Sequence, residues 1–307
     1  MKLLTPTEWI AQFLATDPPR SKSLVMTIFG DAIAPHGGTI WMGSLIELLA
    51  PLGINDRLLR TSVFRLAQEG WLVANRDGRR SSYAMLPQAL PRFERANRRI
   101  YAPLITHWDG SWTMLLAGGN AIDAPTRATL RKELEWEGYA PIVPGIFGHP
   151  VASPDVISEL LARHAIQGKL LAVRGSELPG LAGRALRELA SEGWDLSGVV
   201  QGYQGFIAQF SPLLALLQQT GPLAPQQAFV IRALLIHAYR RVQLHDPMLP
   251  IELLPDPWPG SEAYALARAL YRMTQAAAEQ HVVAALRRED ADAPDADAAF
   301  YQRFGGL

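Results

Sequence analysis

The chain has no cysteine among its 307 residues. A disulfide framework and a thiolate metal site are therefore excluded, and a reducing compartment is the expectation. Net charge is absent too, since 29 Lys and Arg balance 29 Asp and Glu. No run reaches the ~18 uninterrupted apolar residues that a membrane span needs. The start, MKLLTPTEWIAQFL, is broken by Thr5, Pro6 and Glu8 and does not read as a signal peptide, so the expected location is cytoplasmic. His36, His107, His149, His164, His237, His245 and His281 show no metal-ligand spacing. There is no G-x-S-x-G elbow, Walker loop or dinucleotide-binding glycine fingerprint. The reading is a protein that is not an enzyme, with no catalytic residue, metal or cofactor.

What is present is 49% hydrophobic and 19% charged, enough apolar material for two or three cores. The zero charge hides a division. Residues 20–103 carry 12 Lys and Arg against 6 Asp and Glu, so a basic N-terminal third is joined to an acidic remainder.

Within that third, Asn55 to Leu86 reads as an amphipathic helix followed by a hairpin. Leu59, Val63, Leu66 and Ala67 fall at i, i+4, i+7 and i+8 and define an apolar face. Arg57, Arg60, Thr61 and Gln68 fall opposite, with Arg65 at the border. The hairpin tip holds Arg76, Asp77, Gly78, Arg79 and Arg80. Together with helices expected over 21–34 and 40–49, this is the order of a winged helix-turn-helix. Arg57, Arg60, Thr61 and Arg65 are expected to face the major groove of double-stranded operator DNA, where arginine can donate two bonds to guanine. Arg76, Arg79, Arg80, Ser81 and Tyr83 are expected on phosphate or in the minor groove. A solvated surface helix is the bland alternative. For Phe29, Trp41 and Phe64 a core position is favoured, least firmly for Phe64.

Further along, Arg92 to Tyr101 reads as a linker helix whose Arg92, Arg95, Arg98 and Arg99 either touch phosphate or keep the helix solvated. From Thr106, strand and helix patterns alternate as β-α-β-β-α-β to Arg174, the order of a ferredoxin-like domain. Such a fold also occurs in metal-dependent nucleases, but the acid nearest the first strand end is Asp123, too far along to support that chemistry. Helices are expected over 181–190, 196–217, 225–242 and 261–286. Between the last two, His245 to Gly260 holds five prolines interleaved with Met248, Leu249, Leu253, Leu254 and Trp258, which favours an ordered crossing. The acidic tail over 289–299 is expected to be poorly ordered. The fold class is multidomain α+β: a winged-helix domain over 20–90, a linker helix over 91–105, a ferredoxin-like domain over 106–178 and a mostly helical effector and dimerisation domain over 179–307.

The runs SLVMTIFGDAIAPHGG, IWMGSLIELLAPLGIN and RTSVFRLAQEGWL, the hairpin GRRSSY and the later LHDPMLPIELLPDPWPG, in this order, resemble the PaaX family of repressors of phenylacetic acid degradation. The chain departs from that pattern at His36, where a basic residue is usual, and at Ser82, where an aromatic is common. The resemblance implies a homodimeric repressor whose DNA binding is relieved by an aryl-CoA such as phenylacetyl-CoA. A dimer implies an inverted-repeat operator. A CoA ligand needs cationic donors and an apolar slot, for which Arg232, Tyr239, Arg240, Arg241 and Trp258 are the candidates. The competing reading for each is a solvated arginine or a core aromatic. The remaining alternatives are a winged-helix regulator of a different pathway with another effector and a winged helix that binds protein instead of DNA.

Overall fold

The structure is a computed structural model and describes residues 4–105, 107–117, 122–151, 153–177 and 186–307. Its contacts form two units. One comprises Met1–Pro103, Tyr203–Arg241 and Glu262–Leu307, the other Leu104–Gly202 and Val242–Ser261. The C-terminal third is thus divided between the two.

In the first unit, Thr5 and Glu8 form a reciprocal capping box that starts α1 (Pro6–Thr16). Next comes α2 (Ser21–Ile28), which passes without a break into a π-helical turn, Phe29–Ile33, and a 3-10 turn, Ala34–His36. The single helix expected over 21–34 is therefore three geometries in succession. Its apolar spacing alone does not distinguish a widened turn from an α-turn. The residues expected to open the second helix at Ile40 instead form β1 (Thr39–Trp41), and α3 (Met42–Leu49) begins after it. Hydrogen bonding across the sheet holds those β-branched and aromatic residues extended.

A turn through Gly53, at φ 81°, leads to α4 (Asp56–Gln68). The hairpin follows as β2 (Leu72–Asp77) and β3 (Arg80–Met85), and the sheet order is β1-β3-β2, all antiparallel. Only Gly78 and Arg79 lie between the paired Asp77 and Arg80, and the left-handed φ of 57° falls on the glycine. The linker helix is α5 (Leu90–Tyr101).

The second unit opens with β4 (Ser111–Ala117), α6 (Ala124–Trp136), β5 (Ala140–Val143), β6 (Ile146–His149), α7 (Pro154–Arg163) and β7 (Leu170–Ser176). Its sheet order is β5-β6-β4-β7 with every neighbour antiparallel, the ferredoxin-like arrangement. Leu115, Leu130, Leu134, Phe147, Ile157 and Leu160 form its core. Asp123 caps α6 by accepting from the Thr126 amide at 2.9 Å. Of the helix expected over 181–190, residues 181–185 lie outside the described residues, as do Thr106 and Gly118; α8 spans Leu186–Gly193.

Three longer helices complete the chain: α9 (Ser197–Gln219), α10 (Pro225–Gln243) and α11 (Pro259–Arg287). The proline-rich crossing is ordered within the second unit. It buries Leu249, Leu253, Leu254 and Trp258, and the Pro247 carbonyl lies 2.9 Å from His149 Nε2. The tail differs from expectation. Ala293, Phe300 and Phe304 are buried, the Asp297 amide donates to the Pro35 carbonyl at 3.0 Å, and Arg287 pairs with Asp295 at 2.9 Å. Phe300 and Phe304, just beyond the 289–299 segment, anchor what its acidic composition alone would leave loose.

Candidate nucleic-acid interface

Helix α4 starts where Asn55 Oδ1 accepts from the Leu58 amide at 2.9 Å. Its inner face buries Leu59, Ser62, Val63 and Leu66, and Ser62 Oγ donates to Ser21 Oγ of α2 at 2.8 Å. The outer face exposes Arg57, Arg60, Thr61, Arg65 and Gln68. Arg60 is held by Asp56 at 2.6 Å one turn earlier, and Thr61 Oγ1 donates to the Arg57 carbonyl at 2.9 Å. Arg57 and Arg65 make no ion pair among the described residues. Between them stands Phe64, 62% exposed, with Leu58 at 44%. Sequence spacing already puts Phe64 off the buried stripe; its bulk argues for the core, and the structure shows it on the basic face.

On the hairpin, Arg76 and Arg79 are exposed and likewise without an ion pair among the described residues, while Ser81 and Tyr83 are half-buried. Arg80 is different. Its guanidinium lies 4.2 Å from the Trp41 ring centre, donates to the Glu289 carbonyl at 3.1 Å and comes within 3.5 Å of the Glu289 carboxylate. That carboxylate also accepts from the Ser44 amide at 2.7 Å, at the start of α3, where the helix dipole favours a negative charge. The candidate face is therefore braced by Glu289, two residues past the end of α11.

Behind it lies a buried ionic network. Asp31, in the π-turn, accepts from Tyr101 at 2.7 Å and Tyr271 at 2.9 Å, and pairs with Arg232 at 2.9 Å and Arg303 at 3.2 Å. Arg232 also pairs with Glu279, which approaches His36 Nε2 at 3.2 Å. Burial opposes the charge on Arg232, but the carboxylates of Asp31 and Glu279 outweigh it and hold the guanidinium protonated more firmly than usual. Burial raises the Tyr101 and Tyr271 hydroxyls well out of the titrating range, so both remain donors.

The network takes apart the effector group expected from sequence. Arg232 is 0% exposed and its guanidinium is committed to two carboxylates. Tyr239 packs against Phe206 and Phe304 in the core. Arg240 is turned inward to Thr27 Oγ1 at 2.9 Å and lines a void of only about 30 Å³. Arg241 pairs with Asp17 at 3.2 Å, and Trp258 belongs to the second unit. Amphipathic spacing marks inward and outward positions, but a guanidinium seated inward needs a partner carboxylate that only the tertiary fold supplies. No cluster of three or more His, Cys, Asp or Glu suited to a metal occurs among the described residues, and none of the described helices is long and apolar enough to cross a membrane.

A helix and a hairpin that expose arginines without ion pairs among the described residues, in a chain with a ferredoxin-like sheet, define a multidomain α+β protein with an arginine-bearing helix face beside an arginine-bearing hairpin. Residues 20–88 match the family model of the PaaX-like protein, 106–186 that of the PaaX protein central Cas2-like domain, and 194–284 that of the PaaX-like protein C-terminal domain. The chain is 37% identical over 291 residues to "Transcriptional repressor PaaX" of Escherichia coli (strain K12), covering 94% of this chain and 92% of that protein. It belongs to the PaaX family. Among solved structures, an uncharacterized protein, Rv0674 from Mycobacterium tuberculosis, is 26% identical with a TM-score of 0.45, covering 76% of this chain and 89% of that one.

Proposed function

We propose that the chain is a DNA-binding transcriptional repressor of phenylacetate-type catabolic genes, acting as a cytoplasmic homodimer and released from its operator by an aryl-CoA such as phenylacetyl-CoA. The observation that carries the DNA-binding part is the outer face of α4, where Arg57 and Arg65 stand exposed around Phe64 with no ion pair among the described residues. In this reading α2, α3, α4 and the three-stranded sheet are a winged helix, with α4 as the reading helix. Arg57, Arg60, Thr61 and Arg65 meet base edges, and Phe64 meets a thymine methyl, the one apolar group the major groove offers. The hairpin's Arg76, Arg79, Ser81 and Tyr83 meet the backbone, where they set affinity and register. Arg80 joins them only on leaving Glu289.

Repression is carried over from the Escherichia coli relative, a transcriptional repressor aligned over nearly its whole length, and the phenylacetate-type genes from the resemblance to the PaaX family. The chain acts without catalysis in this reading, and Asp123 serves as a helix cap instead of a metal ligand. The test is a gel shift on DNA upstream of phenylacetate catabolic genes, repeated with phenylacetyl-CoA. The expected result is a specific complex that phenylacetyl-CoA dissolves; a complex no stronger than with unrelated DNA overturns the reading.

A further inference from the structure

The first unit contains a cleft of about 770 Å³, in the size range of sites that enclose a small organic ligand. Its walls are mostly apolar. Phe93 and Tyr101 come from α5, Met85 from the hairpin strand β3, and Phe300 from the C-terminal segment. At the rim, Arg98 of α5 is exposed and has no ion pair among the described residues, and the exposed carboxylates of Glu94 and Asp297 also line the cleft, which leaves Arg98 as the end of the rim suited to an anion. At the floor are Tyr101 and Arg303, both engaged with Asp31.

We infer that this cleft binds an aryl-acyl ligand with an anionic end, the flat group between Phe93, Tyr101 and Phe300 and the anion at Arg98. A flat apolar group is what three aromatic walls bury best, with ring centres offset or edge-on. An exposed guanidinium beside an apolar slot selects an anion, because it can donate two parallel bonds to a carboxylate or phosphate. Free aryl acids and aryl-acyl thioesters of CoA share this chemistry. The inference rests on the effector reading above and gives it a place.

The position also supplies a route to the interface. Met85 and Ala84 are in the strand that starts at Arg80, so the cleft wall and the basic hairpin are one element. Tyr101 and Arg303 join the cleft floor to Asp31, in the turn that continues α2, and α4 packs on α2. A ligand that shifts either of them prefers one arrangement of this network over another, which is the condition for a switch.

The test is titration calorimetry of the full chain with phenylacetyl-CoA, phenylacetate and CoA as separate probes. Two variants accompany the wild type. Ala84→Trp fills the cleft from the hairpin side, and Arg98→Gln removes the exposed charge without touching the core. The expected result is that the wild type binds an aryl-bearing probe better than CoA, and that each variant weakens that binding at least tenfold. Loss with phenylacetate and phenylacetyl-CoA alike identifies the aryl acid as sufficient; loss with the thioester alone identifies the thioester. Wild-type affinity in Arg98→Gln and in folded Ala84→Trp overturns the assignment of the cleft while leaving the effector reading intact. No binding of any probe to the wild type overturns both.

Discussion

Arg232 Nε lies 2.9 Å from Asp31 Oδ2, and neither side chain is open to solvent. Through this pair the π-turn after α2 is tied to α10, and through Tyr271 and Arg303 to α11 and the C-terminal segment. A buried ion pair adds little to stability against an apolar replacement, but removing one member strands the other charge. Asp31 is the shared acceptor, so its loss strands the Arg303 guanidinium and leaves Arg232 with Glu279 alone.

Asp31→Asn is accordingly expected to lower the stability of the first unit by ~3–5 kcal/mol, read as the shift in urea midpoint at constant slope. A loss below ~1 kcal/mol, the scale of a surface pair, would mean that the network is not closed as described.

How far the sequence carried the fold is visible in this same network. The apolar stripe of α4 and the hairpin with its tip near Gly78 were legible because each rests on local spacing or on one residue's backbone preference. The alternation of strands and helices over 111–176 was legible for the same reason. The buried role of Arg232 was not, because its partners Asp31 and Glu279 are distant in sequence and nothing local distinguishes an inward arginine from an outward one. The 289–299 tail was misjudged on its own composition, since the Phe300 and Phe304 that follow it are buried and hold its far end. At the candidate interface, charge picked out the arginines, whereas the pairing of Arg80 with Glu289 required distant parts of the chain to be brought together.

Acid is expected to destabilise the first unit through His237. Burial, and then the neighbouring Arg240 and Arg241, lowers its pKa from 6.5 to about 4. The folded ring stays neutral where the unfolded ring takes a proton, so stability is whole above pH 6.5 and falls as pH drops towards 4. The slope is about 1.4 kcal/mol per pH unit, or ~3 kcal/mol over the window. Urea titrations across this range in wild type and His237→Gln check it; the variant's slope should be shallower by one proton.

Gly43 is where the Glu289 brace can be tested. A Cβ there would stand 2.6 Å from Glu289 Oε2, whose place is fixed by the Ser44 amide. Gly43→Ala should expel the carboxylate and lose ~1.5–3 kcal/mol, the scale of a hydrogen bond to a charged group, offset by the ~0.5–1 kcal/mol that alanine gains over glycine in a helix. Adding Glu289→Ala should then cost almost nothing more, since the two changes remove one interaction. Additive losses in thermal or urea unfolding would contradict the brace.

On the hairpin, Arg79→Ala should weaken binding to operator and unrelated DNA by similar factors and reduce the slope of log affinity against log salt by about 1. Fluorescence anisotropy with labelled duplexes at several salt concentrations measures both. A loss confined to one sequence would place Arg79 on a base instead of the backbone.

The central claim is that the exposed arginines of α4 read DNA sequence, and the most direct measurement compares wild type with Arg57→Ala/Arg65→Ala on the operator and on a scrambled duplex in the same buffer. A well-aligned arginine–guanine pair is worth ~1–3 kcal/mol of discrimination. The account predicts that operator affinity falls at least tenfold more than affinity for the scrambled duplex. An equal fall on both duplexes, or none on either, would contradict it.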